Sequence, residues 1–206
     1  MSAGNKKLIM FDFDGVLVDT LIMHYEMIRK SNPASFSLER FKDIFNGNIF
    51  EHVKKSSDVN QPSRFFEEYE DRTREIVIPE IIKSSLKILS NKYTLSIVSS
   101  TTSKIILKIL NEAEIPEYFL DVLGSDVHKS KVVKINMLLE KYGIDPSCAI
   151  FVTDTTGDVL EARECGVDSI AVLWGFHDKE RLEKSNPKVI LDDPALLVDS
   201  IENVLK

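Results

Sequence analysis

Two short acidic motifs hold most of the reactive potential of this chain. The first is Asp12-Phe13-Asp14-Gly15-Val16, directly after the apolar run Leu8-Ile9-Met10-Phe11. Carboxylates two residues apart on a strand project to one face, and Gly15 lets the chain turn away at once. Two such anions repel unless a cation stands between them. A divalent ion that prefers oxygen ligands, Mg²⁺ above all, suits that position. Alone, the pattern would also fit a solvated acidic turn.

The second motif is Thr153-Asp154-Thr155-Thr156-Gly157-Asp158, after the apolar run from Ala149 to Val152. Asp154 is expected at a strand tip. Asp158 is expected in the first turn of a helix, where the helix dipole favours an anion. A lone Asp there would simply support the helix. Acidic groups at the tips of two strands are harder to treat as coincidence.

Two weaker features accompany them. Ser99-Ser100-Thr101-Thr102 follows Thr94–Val98, and hydroxyls with backbone N–H groups at a helix start can hold phosphate oxygens. The same run is an ordinary Ser/Thr helix cap. Lys129-Ser130-Lys131 precedes a helical stretch, and a lysine there could neutralise phosphate and carboxylates. Four lysines stand at 129, 131, 134 and 141, and position alone does not choose among them.

The elements that must position these groups are readable from periodicity. Buried-strand patterns occur at 8–11, 95–98, 149–152 and 170–173, a weaker one at Val122-Leu123, and a candidate edge strand at 189–191. Helical patterns occupy about 80–90, 102–113, 131–142, 156–165 and 194–205. Strands and helices in this alternation predict an α/β fold, a Rossmann-like three-layer core with a parallel sheet covered on both faces. Gly143 and Gly166 are placed as left-handed helix terminators, and Asp193-Pro194 as a helix start. Residues 20–78 break the rhythm. They contain no convincing strand, only helical patches around 36–45 and 65–69, and a structureless loop of that length does not suit a compact domain. A small helical cap over 20–78, inserted into a core of 1–19 and 79–206, is the economical reading.

Composition narrows the class. The 206 residues are 43% hydrophobic and 29% charged, with a net charge of −7. That balance argues against a broad nucleic-acid footprint. Cys148 and Cys165 form no CxxC pair, so a zinc site or disulfide framework is not expected. Residues 1–7 lack a signal-peptide apolar run, and no stretch approaches a membrane span. A cytoplasmic monomer or homodimer with no membrane partner is the expectation.

In this order, the DxDG segment, the serine segment, the lysine segment and the TDxxxD segment resemble the haloacid dehalogenase-like superfamily, phosphatase branch. The resemblance runs over roughly residues 7–203 and is closest to phosphoglycolate phosphatase and β-phosphoglucomutase relatives with a helical cap. It implies hydrolysis of a small phosphorylated metabolite with Mg²⁺ as cofactor. Asp12 would be the nucleophile that forms an aspartyl-phosphate, and Asp14 the acid and then the base. The Asp12 side chain, the Asp14 backbone carbonyl and Asp154 would bind the metal, with Asp158 orienting a metal-bound water or the lysine. Ser99, with Ser100 beside it, would hold the phosphoryl group. Lys129 matches the lysine spacing of the phosphoglycolate phosphatase relatives but lacks the proline that usually follows. Lys131 matches that of phosphoserine phosphatases and stands where the helix would start; both are kept. Metal-free dehalogenases lack an acid at the position of Asp14, so the acidic set favours phosphoryl chemistry. A phosphomutase and a non-catalytic module of the same fold are the alternatives. The resemblance also draws attention to His24 as a cap-hinge histidine, to Asn46-Gly47-Asn48 as a loop facing substrate, and to Trp174-Gly175-Phe176-His177, which reads chiefly as packing.

Overall fold

The computed structural model describes residues 7–50, 60 and 62–206. Six strands form one sheet: β1 (Leu8–Phe11), β2 (Thr94–Val98), β3 (Asp121–Leu123), β4 (Ala149–Thr153), β5 (Asp168–Val172) and β6 (Val189–Leu191). Their order is β3-β2-β1-β4-β5-β6, and every pairing is parallel. The chain moves outward from β1 to one side through β2 and β3, then to the other through β4. β1 and β4 therefore flank the place where strand order reverses, and ligands of open parallel sheets bind beyond the strand ends at such a point.

Every residue of β1 and β4 is buried, which explains their unbroken apolar runs. Successive side chains of β1 serve opposite layers. Ile9 and Phe11 pack with Ile82 and Leu86 of α4 (Glu80–Ser90), Ile105 and Ile109 of α5 (Ser103–Glu112), and Leu197 and Ile201 of α9 (Leu197–Val204). Leu8 and Met10 pack with Ile135 and Leu138 of α6 (Lys131–Tyr142) and Ala162 of α7 (Thr156–Glu164). The expected α/β core with helices on both faces is the observed one.

Between β1 and α4 lie α1 (Leu21–Arg29), α2 (Leu38–Asp43) and α3 (Phe65–Asp71), with 3₁₀ turns at Ile44–Asn46 and Thr73–Glu75. Among the described residues this stretch holds no strand, only an isolated bridge between Asp14 and Val18. The two helical patches expected at 36–45 and 65–69 fall on α2 and α3. Phe41, Ile44, Phe65 and Tyr69 share one apolar cluster with β1.

Several boundaries differ from expectation. β5 begins at Asp168 and ends at Val172, shifted toward the N-terminus. The last helical pattern opens with a 3₁₀ turn, Pro194–Leu196, whose Asp193 side chain accepts from the Ala195 N–H. An unanticipated helix, α8 (Lys179–Ser185), has the sequence KERLEKS with Leu182 as its one buried apolar residue. So little apolar content leaves no periodic signal to read. Gly143 and Gly166 end their helices with φ of +61° and +73°, as expected. Among the described residues no helix is long and apolar enough to cross a membrane.

Candidate active site

Parallel pairing of Phe11 with Val152 brings the tips of β1 and β4 side by side, and the Asp12 N–H donates to the Val152 carbonyl at 2.9 Å. Asp12, Asp154 and Asp158 converge there, each offering a carboxylate oxygen within 4.8 Å of the others. All three are buried. Asp12 Oδ1 accepts from the Phe13 N–H at 2.7 Å. Asp154 Oδ2 accepts from the Phe176 N–H at 2.7 Å, and Asp158 Oδ2 from the Thr153 hydroxyl at 2.7 Å.

Lys131 closes the cluster. Its ammonium lies 2.9 Å from Asp12 Oδ2 and 2.7 Å from Asp158 Oδ2, with only 3% of the side chain exposed. Ser130 caps α6, so Lys131 is its first residue, and Glu161 Oε1 accepts from the Lys131 backbone N–H. That phase aims the side chain inward. Lys129 precedes the helix, is exposed, and stands 5.5 Å over the ring of Phe50.

The charges are mutually dependent. Burial lowers the Lys131 pKa, but Asp12 and Asp158 outweigh it and hold the value above the ordinary one. Burial likewise pushes Asp158 upward, but the charge and hydrogen bond of Lys131 with the Thr153 hydroxyl hold it low. Asp12 is well above the usual carboxylate range through burial, opposed by Lys131 and reinforced by the other two carboxylates. Burial pushes Asp154 up to about 8 against the Phe176 N–H, and repulsion from Asp158 adds to it.

This donor set fits a divalent cation. Asp154 Oδ1 is buried without a hydrogen-bond partner among the described residues, beside two further carboxylates. Clustered hard oxygens suit Mg²⁺. The backbone is shaped around Asp154. A Cβ on Gly15, whose φ is +77°, would fall 1.9 Å from Asp154 Oδ2, and one on Gly175 would fall 2.4 Å from Asp154 Cβ.

Asp14 departs from the same-face expectation. β1 ends at Phe11, and the turn through Gly15 sends the Asp14 carboxylate away from the cluster. Its Oδ1 accepts from the Thr20 hydroxyl at 2.8 Å and the Tyr69 hydroxyl at 2.6 Å; its Oδ2 accepts from the Thr101 hydroxyl at 2.6 Å. His24 Nε2 is 3.7 Å from Oδ1, and burial holds the imidazole pKa below its ordinary value against the pull of Asp14. Asp12 and Asp14 nevertheless line one cavity with Ser99, Ser100, Lys131 and Asp154.

Ser99 is buried, and its hydroxyl accepts from the Thr101 N–H at 3.1 Å. Its carbonyl accepts from Lys134, which is fully buried and whose pKa falls to about 8 through burial and the charge of Lys131. The Ser/Thr run ends at the N-cap of α5, Thr102. Thr102 makes no capping bond with its side chain, and Asp126 accepts from the Ser103 N–H instead. Sequence reasoning missed Lys134, one lysine among four, and missed Thr20 and Tyr69, which lie 6 and 55 residues from Asp14. Thr101 was visible only as part of the hydroxyl run.

The remaining sequence candidates divide. Gly47 lines the cavity. Asn46 accepts from the Thr156 hydroxyl and Asn48 donates to Glu161. Trp174 donates to the Val16 carbonyl, and Phe176 lines the cavity. His177 takes the Thr156 N–H on Nδ1 and places Nε2 2.9 Å from the Lys42 carbonyl, which assigns the proton to Nε2. Cys148 and Cys165 are free thiols.

Residues 9–172 match the model of the haloacid dehalogenase-like hydrolase family. A phosphoglycolate phosphatase of Vibrio vulnificus is 28% identical over 95% of this chain and 96% of its own length. One of Synechococcus elongatus is 23% identical over 96% and 98%. Among solved structures, a haloacid dehalogenase-like hydrolase of Streptococcus pneumoniae superposes with a TM-score of 0.73 at 24% identity, covering 96% of this chain and 99% of that one. A hydrolase of Pseudomonas syringae gives 0.81 at 15%, covering 98% and 100%. The chain belongs to the haloacid dehalogenase-like hydrolase family, and within it to the phosphatases, enzymes that hydrolyse phosphoric monoesters.

Proposed function

We propose that this phosphatase is Mg²⁺-dependent and cleaves small phosphate monoesters through a phosphoryl group carried on Asp12. One observation supports this above others. Three buried carboxylates and one buried lysine meet at a cavity, with an unpartnered oxygen of Asp154 among them. Asp12, Asp154 and the Asp14 carbonyl would hold the metal, with Asp158 beside them. A bound divalent ion would reduce the repulsion between a phosphate dianion and the Asp12 carboxylate.

Asp12 attacks phosphorus as the bond to the leaving oxygen breaks, and Asp14 gives that oxygen its proton. Asp14 then takes a proton from water as the water attacks the phosphorylated Asp12, releasing phosphate and restoring the carboxylate. Ser99 and Ser100 would hold the transferring oxygens. Of the two lysines we assign Lys131, whose ammonium already neutralises Asp12 and would neutralise the phosphoryl group in turn. Asp158 keeps Lys131 charged and directed. Residues 20–78 would act as a cap that excludes water once substrate is bound. Tyr69 touching Asp14 and Asn46 touching Thr156 agree with that reading.

The test is release of phosphate from an aryl phosphate with Mg²⁺ or with EDTA, using wild type and Asp12→Asn. Wild type should turn over only with the metal. Asp12→Asn should be inactive while retaining a cooperative thermal transition. Turnover by that variant, or equal rates in EDTA, would contradict the assignment, and isomerisation of a sugar monophosphate without release of free phosphate would favour a mutase.

A further inference from the structure

The cavity that holds Asp12 has a largely aromatic lining. Phe41, Phe45, Phe50, Phe65, Phe66 and Phe176 line it. They come from α2 and the 3₁₀ turn after it, from the helical residues 49–50, from α3, and from the loop after β5. Several pack edge to face: Phe45 with Phe176 at 5.0 Å, Phe41 with Phe45 at 5.2 Å, and Phe65 with Phe66 at 5.4 Å between centroids. Phe45, Phe50 and Phe66 are only half-buried.

Charge on this wall is one-sided. Among the described residues lining the cavity, Lys131 is the one fixed cation, and Asp12 and Asp158 already bracket it. His24 lies against Asp14, its Nε2 3.7 Å from the carboxylate. Glu161 adds a further anion to the lining. Among the described residues lining the cavity, a carboxylate on the leaving group would meet no cation besides Lys131, since Lys129 stands outside the lining over the ring of Phe50, and desolvating a carboxylate unpaired is costly. A polyhydroxylated leaving group would meet rings where it needs hydrogen-bond partners. The amides nearest in sequence, Asn46 and Asn48, are not among the described lining residues; they bond Thr156 and Glu161.

From this wall we infer that the natural substrate carries an apolar, ring-sized leaving group: a phosphate monoester of an aromatic or similarly hydrophobic alcohol, and not 2-phosphoglycolate or a sugar phosphate. The inference rests on the phosphatase reading above and adds to it the specificity of the aromatic wall. Phe66 is the specificity-determining residue most open to change, since it is half-buried and its ring contact is with Phe65.

The experiment compares kcat/KM for benzyl phosphate, 2-phosphoglycolate and glucose 6-phosphate with Mg²⁺. All three are alkyl esters, so intrinsic leaving-group reactivity differs little. Benzyl phosphate should lead by about tenfold or more, the scale on which apolar pockets discriminate. Phe66→Arg should narrow the ratio of benzyl phosphate to 2-phosphoglycolate by about tenfold, and Phe66→Leu should preserve it. The wild-type ratios stand whether or not Phe66→Arg folds. Preference for 2-phosphoglycolate or the sugar phosphate, or equal rates on all three, overturns the inference and leaves the phosphatase reading intact. Absence of phosphate release from every ester overturns the phosphatase reading itself.

Discussion

Replacing Lys131 by methionine keeps most of the side-chain volume and removes the cation from a cluster of buried carboxylates. Its ammonium lies 2.9 Å from Asp12 and 2.7 Å from Asp158. Removing one partner of a buried pair costs about 3–5 kcal/mol, because the other charge stays buried and uncompensated. Proton uptake limits the loss. Burial holds Asp154 at about 8, against an ordinary 3.8, and raises Asp12 as well. Between those values the folded protein binds a proton that the unfolded chain does not, so metal-free stability falls as pH rises through that window. In Lys131→Met, Asp12 and Asp158 lose the charge that draws their values down. Asp12 moves further along the trend, Asp158 joins it, and the fall steepens. Lys131 adds no slope of its own there, since its raised value keeps it charged at all pH below its ordinary 10.5. In EDTA the variant should therefore lose about 3–5 kcal/mol near pH 9 and no more than about half of that near pH 6. For a chain of this size 1 kcal/mol shifts Tm by about 2–4 °C, so the difference is measurable by thermal denaturation. Mg²⁺ should recover more of the loss at the higher pH, by supplying positive charge to the same oxygens. A variant that melts with the wild type near pH 9 in EDTA, or that loses the same amount at both pH values, would refute this account of the cluster.

Two further substitutions probe the surroundings. Gly15→Ala places a Cβ 1.9 Å from Asp154 Oδ2 at a φ of +77°, so it should lower stability and weaken Mg²⁺ binding; calorimetric titration that matches wild type would show the turn to be more yielding than its geometry implies. Tyr69→Phe deletes the 2.6 Å bond to Asp14. Hydrogen bonds to charged groups contribute about 1.5–3 kcal/mol, so kcat should fall by about tenfold or more with KM little changed and the pH–rate profile displaced. A rise in KM alone would assign Tyr69 to binding instead. Burial and the neighbouring Asp14 hold the Tyr69 hydroxyl well above its ordinary pKa, so the tyrosine remains a donor across the working range and contributes no titration of its own.

Local pattern determined the frame of this protein. The apolar runs of β1 and β4 are continuous because both faces of a central parallel strand are covered, and such a strand ends where the first carboxylate appears. Asp12 and Asp154 were therefore visible as strand-tip acids from one dimension alone, as were the αL glycines 143 and 166, whose conformation few other residues tolerate. Tertiary structure decided what the acids meet. Lys131 reaches them and Lys129 does not, because Ser130 caps the helix that Lys131 opens, and the position of its first turn sets the direction of each side chain. Asp14 turns to Tyr69, Thr20 and Thr101, and Lys134 supports Ser99 from beneath, through contacts between segments far apart along the chain. The aromatic wall is likewise assembled from three separate stretches. Periodicity records which face of an element is buried; it carries no record of which distant side chain will lie against it, and that pairing is settled only when the elements pack.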